Sequence, residues 1–178
     1  MIFQPTKLPG VFEILPELKS DERGFFARTW CQKEFADHGL NPKLAQCSIS
    51  LNSRKGTLRG MHYQVSPHAE AKLVRCTKGA IYDVVVDLRP ESPSFKGWTA
   101  ATLSADNRRA LYMPEGCAHG FLTLEDDTEL FYQISEFYSA ESTRGVRWND
   151  PAFSITWPGE VTVISERDRT YPDFQRPR

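Results

Sequence analysis

The sequence predicts an all-β protein, an antiparallel sandwich or barrel, and three observations carry that prediction. The strongest hydrophobic period is two: in Ala80-Ile81-Tyr82-Asp83-Val84-Val85-Val86-Asp87-Leu88, β-branched and aromatic residues dominate between Lys78-Gly79 and Arg89-Pro90. Similar short runs recur at residues 10–15, 45–51, 72–76, 98–103, 110–113, 120–124, 129–138 and 154–157. Turn clusters such as Glu91-Ser92-Pro93-Ser94 and Glu125-Asp126-Asp127 separate them. Many short strands at such spacing build sandwiches or barrels.

One helix signal stands out, at residues 32–38, polar around Phe35 and ended by Gly39 as the residue just past the C-cap. It is expected to cover an edge, giving one or two short peripheral helices at most. The segment 171–178 reads as extended coil. With 178 residues, 40% hydrophobic and 12% aromatic, the chain suits a single domain, 1–178, with a substantial core.

Charge and cysteine usage exclude several classes. The 22 basic and 23 acidic residues leave a net charge of -1, so no overall field draws nucleic acid or an anionic membrane. An anionic ligand must be held locally. Cys31, Cys47, Cys76 and Cys117 have no metal-knuckle spacing, and no secretory signal or long apolar run is visible. The expectation is reduced thiols in a cytoplasmic protein.

The densest chemistry lies in Thr57-Leu58-Arg59-Gly60-Met61-His62-Tyr63-Gln64, which sets a cation three residues from a histidine. An imidazole there needs a partner for each ring nitrogen, and a carboxylate on one nitrogen raises the basicity of the other. Asp168 or Glu166, in Ser165-Glu166-Arg167-Asp168, can supply it. His38 and His68 sit in polar segments and read as surface residues. Tyr132 and Tyr138, six apart on an expected strand, share a face. Arg23, beside Phe25 and Phe26, suits bidentate phosphate binding with an aromatic neighbour for a ring. His119, in Pro114-x-Gly116-x-x-His119, resembles the second half of a cupin metal motif. The first half is missing, which leaves too few imidazoles for a three-histidine site, and no metal is expected.

Taken in order, Asp21-Glu22-Arg23-Gly24-Phe25-Phe26, Leu58-Arg59-Gly60-Met61-His62-Tyr63-Gln64, Ala71-Lys72-Leu73-Val74, Pro114-Glu115-Gly116-Cys117-Ala118-His119-Gly120-Phe121, Gly145-Val146-Arg147-Trp148-Asn149-Asp150-Pro151 and Ser165-Glu166-Arg167-Asp168 resemble the dTDP-4-dehydrorhamnose 3,5-epimerase family over nearly the whole chain. The resemblance implies a cupin-like jelly roll that forms a homodimer, uses no cofactor and binds a nucleotide-diphospho-sugar inside the sandwich. It implies His62 with Asp168 as base, Tyr132 as acid, Lys72 near the keto oxygen and His119 as a further substrate contact. Arg59 and Arg23 fall on diphosphate positions; Phe25 and Tyr138 fall on aromatics of the nucleotide site, Phe25 from the partner subunit.

Three positions depart from the family pattern, all on the nucleotide side. Arg28 stands where an acid is common, Ser48, after Gln46, where Asn is common, and Thr143 where Glu is common. An acid accepts from thymine N3–H whereas Arg donates, which favours cytosine or guanine and leaves dTDP, CDP and GDP open as carriers. Epimerisation at C3, C5 or both is the expected reaction. A 3,4-ketoisomerase on the same scaffold and a non-catalytic sugar-binding domain are the alternatives, and the complete His62, Asp168, Tyr132 and Lys72 set speaks against both.

Overall fold

The computed structural model describes residues 1–175. In chain order the strands and helices are β1 (Ile2–Pro5), β2 (Phe12–Leu15), β3 (Lys19–Asp21), β4 (Gly24–Phe26), α1 (Gln32–Asp37), β5 (Gln46–Asn52), β6 (Thr57–Gln64) and β7 (Lys72–Lys78). They continue as β8 (Ala80–Asp87), β9 (Trp98–Ser104), β10 (Ala110–Met113), β11 (Cys117–Thr123), β12 (Thr128–Ile134), β13 (Thr143–Gly145), β14 (Val163–Ile164) and α2 (Glu166–Arg169). One sheet runs β1-β2-β10-β7-β12-β5; the other runs β13-β6-β11-β8-β9, with β14 added parallel to β6. β3 and β4 form a separate hairpin. The two large sheets stack as the antiparallel sandwich that the strand pattern predicts, with the cupin-like jelly-roll form that the resemblance implies.

Alternation along each strand explains the layers. Val74 and Cys76 of β7, Ile81 and Val85 of β8, Leu103 of β9, Phe121 of β11 and Leu130 of β12 meet in one buried cluster between the sheets. The opposite residues of β8, Val84 and Val86, pack with Met61 and Ala118 under a cover from Val146, Phe153, Trp157 and Phe174. Both faces of β8 are therefore buried, which is why its sequence is nearly continuous in apolar residues. α1 lays Phe35 on the outer face of the first sheet, against Ile14, Leu73 and Tyr112. Gly39 follows its cap at φ +70°, the left-handed position that glycine occupies without strain.

Two expectations fail for local reasons. No strand forms at 154–157: Ser154 takes φ +51°, and Ile155 and Trp157 serve instead as irregular cover on the second sheet. The run 129–138 ends as a strand at Ile134, so Tyr138 lies in the loop beyond. Residues 171–175 carry no helix or strand, as expected, and 176–178 lie outside the described residues.

β6, unanticipated as a strand, owes its shape to Gly60. On this strand His62 pairs with His119 but Arg59 pairs with Phe121, so β6 carries one extra residue at this point. Gly60 sits at φ +140°, and a Cβ there would collide with the backbone at Gly120 Cα. Gly60→Ala is expected to cost roughly 2–5 kcal/mol, from backbone strain plus overpacking. A guanidinium unfolding series checks it: the midpoint should fall while the slope stays constant.

Candidate active site

The inner faces of both sheets open on one cavity of about 680 Å³. β5 contributes Gln46, Ser48 and Ser50; β6 contributes Arg59 and His62; Lys72, His119 and Tyr132 come from β7, β11 and β12. Strict alternation would put Arg59 and His62 on opposite faces. The extra residue at Gly60 resets the phase, and both line the cavity.

Asp168 reaches His62 through the C-terminal segment. Parallel pairing of Val163 with Thr57 and Ile164 with Leu58 lays β14 beside β6, and Ser165 then caps α2, its Oγ accepting from Asp168 N–H at 3.1 Å. That turn leaves the Asp168 side chain facing β6. Its Oδ1 lies 2.7 Å from His62 Nε2, and its Oδ2 accepts from Gly60 N–H at 3.2 Å. Burial pushes the Asp168 carboxyl up, but the His62 hydrogen bond and charge, the Gly60 amide and the Ser165 hydroxyl outweigh it and hold the group below its ordinary value. An ionised carboxylate only accepts, so Nε2 is the donor and Nδ1 is left as the basic nitrogen.

His119, 5% exposed, is built the same way on the inner face. Its Nε2 lies 2.6 Å from Oδ1 of Asp83, a fully buried carboxylate between Ile81 and Val85 of β8. An unpaired charge there would be strongly destabilising, and the imidazole N–H offsets that cost. The His119 ring stands edge-on to Tyr132, with centroids 6.3 Å apart. Burial, joined by the charge of Asp83, pushes the Tyr132 phenol far up; the Arg59 charge and Ser50 hydrogen bond oppose without cancelling. The Tyr132 phenol is therefore held protonated over the ordinary pH range.

Around this centre, Arg59 donates through Nε to Asn52 Oδ1 at 2.7 Å, which orients its two terminal amino groups. Tyr138 stands at the mouth, 66% exposed, with its backbone N–H bonded to Gln46 Oε1 at 2.6 Å. Gln64 secures the same loop, accepting from Ser139 N–H and donating to the Phe137 carbonyl. Among the described residues, no three or more His, Cys, Asp or Glu side chains are grouped to hold a metal ion.

Arg23, Phe25 and Arg28 do not line the cavity. Arg23 is paired with Asp21 in the exposed β3–β4 hairpin, Phe25 lies under the Arg108 guanidinium, and Arg28 is bonded to Glu34 at 2.8 Å. Sequence reasoning also missed Glu70, Arg167 and Asp83. For Asp83 a signal existed: a carboxylate in phase with Ile81 and Val85 must point inward.

The jelly roll turns a histidine–carboxylate pair, a lysine and a protonated tyrosine onto one cavity, a set equipped for acid–base chemistry, and its relatives make the class that of an isomerase. Residues 5–176 match the family described as dTDP-4-dehydrorhamnose 3,5-epimerase. The protein of that name from Sinorhizobium fredii is 43% identical over 98% of this chain and 90% of its own. The crystal structure of the enzyme of that name from Elizabethkingia anophelis superposes with TM-score 0.94 at 40% identity, covering 98% of this chain and 96% of that one. The one from Bacillus anthracis, with TDP and PPi bound, gives 0.92 at 40% identity, covering 97% of this chain and 99% of that one. The chain belongs to the dTDP-4-dehydrorhamnose 3,5-epimerase family.

Proposed function

We propose that this protein inverts C3, C5 or both of a nucleoside-diphosphate-linked 4-keto-6-deoxyhexose, with His62 as base, Asp168 as its orienting carboxylate, Lys72 at the ketone oxygen and Tyr132 as acid. The observation that carries the reading is the His62–Asp168 pair, 2.7 Å apart, opening on the cavity that Lys72 and Tyr132 also line. Hydrogen on carbon beside a ketone becomes abstractable when positive charge awaits the enolate oxygen, which an ammonium provides. Reprotonation from the opposite face then inverts the centre and requires a second group, Tyr132. Arg59 takes the diphosphate, Tyr138 stacks the base, Gln46 and Ser48 border it, and His119 contacts the sugar.

The carrier in this reading is dTDP. The family and relatives that match are named for the dTDP sugar, and Arg28, bonded to Glu34 outside the cavity, does not by itself turn the site to another base. Incubation with dTDP-, CDP- and GDP-4-keto-6-deoxyhexoses in deuterated water, followed by proton NMR, tests reaction and carrier together. Loss of the C3 or C5 resonance is expected with the dTDP sugar first. Faster loss with the CDP or GDP sugar would put Arg28 at the base after all.

The reading includes a single epimerase domain over 1–178, a cytoplasmic location and a homodimer. Four free thiols support the location, with burial pushing Cys76 to about 11 and Cys117 to about 12. Among the described residues, no helix is long and apolar enough to cross a membrane. The dimer is supported by Phe26, 73% exposed on the hairpin, and by Ile49 and Leu51 at 69% and 55% on the edge strand β5. In the dimer the hairpin brings Arg23 and Phe25 to the partner's cavity. Mixing R23A with H62N protein should then regenerate activity, because one site of each hybrid regains both groups. A mixture no more active than its parts would place Arg23 in the service of its own chain.

A further inference from the structure

Glu70 is a cavity-lining carboxylate that the chemistry above leaves unused. It stands two residues before Lys72, and Ala71 between them packs outward into the α1 cluster at 2% exposure. Alternation turns Glu70 and Lys72 to the other side, and both line the cavity. The backbone is anchored there twice: Ala71 N–H donates to Ser135 Oγ at 2.8 Å, and Ser135 N–H donates to the Ala71 carbonyl at 3.0 Å. From this fixed point Glu70 Oε1 meets Lys72 Nζ at 2.7 Å, with side chains 9% and 12% exposed.

A lysine ammonium rides on four flexible carbons and carries three rotatable donors, so without a partner its tip samples many positions in an open cavity. A carboxylate this buried is equally unfavourable without a cation. Each group fixes the other. We propose that Glu70 is a positioning residue for the enolate: it takes one N–H of Lys72 and thereby aims the remaining two at the ketone oxygen of the bound sugar. Its own charge weakens the positive field at that oxygen. The arrangement therefore gains placement rather than field strength, and placement governs how far a preorganised donor stabilises developing charge.

The inference rests on the epimerase reading above, and the two fail separately. In deuterated water, E70A is expected to lower kcat for exchange of the C3 and C5 hydrogens by about 10- to 100-fold. KM should change little, because the contact matters where charge develops. E70Q, whose amide oxygen still accepts from an ammonium, should recover most of the rate. The double variant E70A/K72A should be no slower than K72A alone, since the carboxylate then has nothing to aim. E70M keeps side-chain length without the acceptor and replaces E70A if that variant does not fold. Wild-type rates in E70A or E70M, equal losses in E70A and E70Q, or additive losses in the double variant would overturn the proposal. A wild-type protein that exchanges neither hydrogen overturns the epimerase reading instead.

Discussion

Replacing His62 with asparagine is expected to slow exchange of the substrate's C3 and C5 hydrogens with deuterated water by about 10²–10⁴-fold, the share a positioned general base supplies. The asparagine amide is too short to reach where Nε2 stands, 2.7 Å from Asp168 Oδ1, but Asp168 Oδ2 still accepts from Gly60 N–H, so the fold around Gly60 should persist. Lys72 still awaits the enolate, but nothing removes the proton. Asp168→Asn makes the complementary case with a single-atom change. Its amide can offer hydrogen to Nε2, which favours the tautomer with the proton on Nδ1 and leaves no base toward the substrate. Both variants should bind substrate and neither should exchange it. Proton NMR of the sugar checks this, with circular dichroism as the control for folding; retained exchange in H62N would mean that another group is the base.

The legible and illegible parts of this molecule divide along a physical line. β8 was readable because both its faces are buried, and hydrophobic burial writes itself into composition at each position. The strand that carries His62 was not, because Gly60 breaks the alternation that marks a strand, and the same break brings Arg59 and His62 to one face. The choice between Asp168 and Glu166 was equally hidden. It depends on the pairing of residues 163–164 with 57–58, a separation of more than a hundred residues that no local pattern records, which carries the turn capped by Ser165 to β6. Arg23, Phe25 and Arg28 show the opposite limit. The resemblance assigns them to a site, yet one chain keeps Arg23 and Phe25 on an exposed hairpin and Arg28 against Glu34 beyond it, all away from the cavity, which is the arrangement expected if a second chain completes it.

Tyr132→Phe separates the two halves of the reaction. The phenol sits in the interior row Val74, Tyr132, Ser48 across β7, β12 and β5, with only its ring needed for packing. Phenylalanine preserves that ring, so stability should change little, although Asp83 Oδ2, already without a hydrogen-bond partner, keeps a drier neighbourhood. Deprotonation by His62 does not use the hydroxyl. Exchange of the hydrogen on the face His62 attacks should therefore continue, while the inverted product falls by about 10²–10⁴-fold, because delivery from the opposite face has lost its acid. Burial is what suits the group to this role: a phenol held protonated far above the ordinary range surrenders its proton only to a strong base such as an enolate carbon. The two readouts come from one experiment, with deuterium incorporation into recovered substrate set against the appearance of epimer. Equal loss of both would show that Tyr132 orients the sugar or stabilises the enolate, and the acid would then have to be sought at His119, whose ring stands edge-on to it.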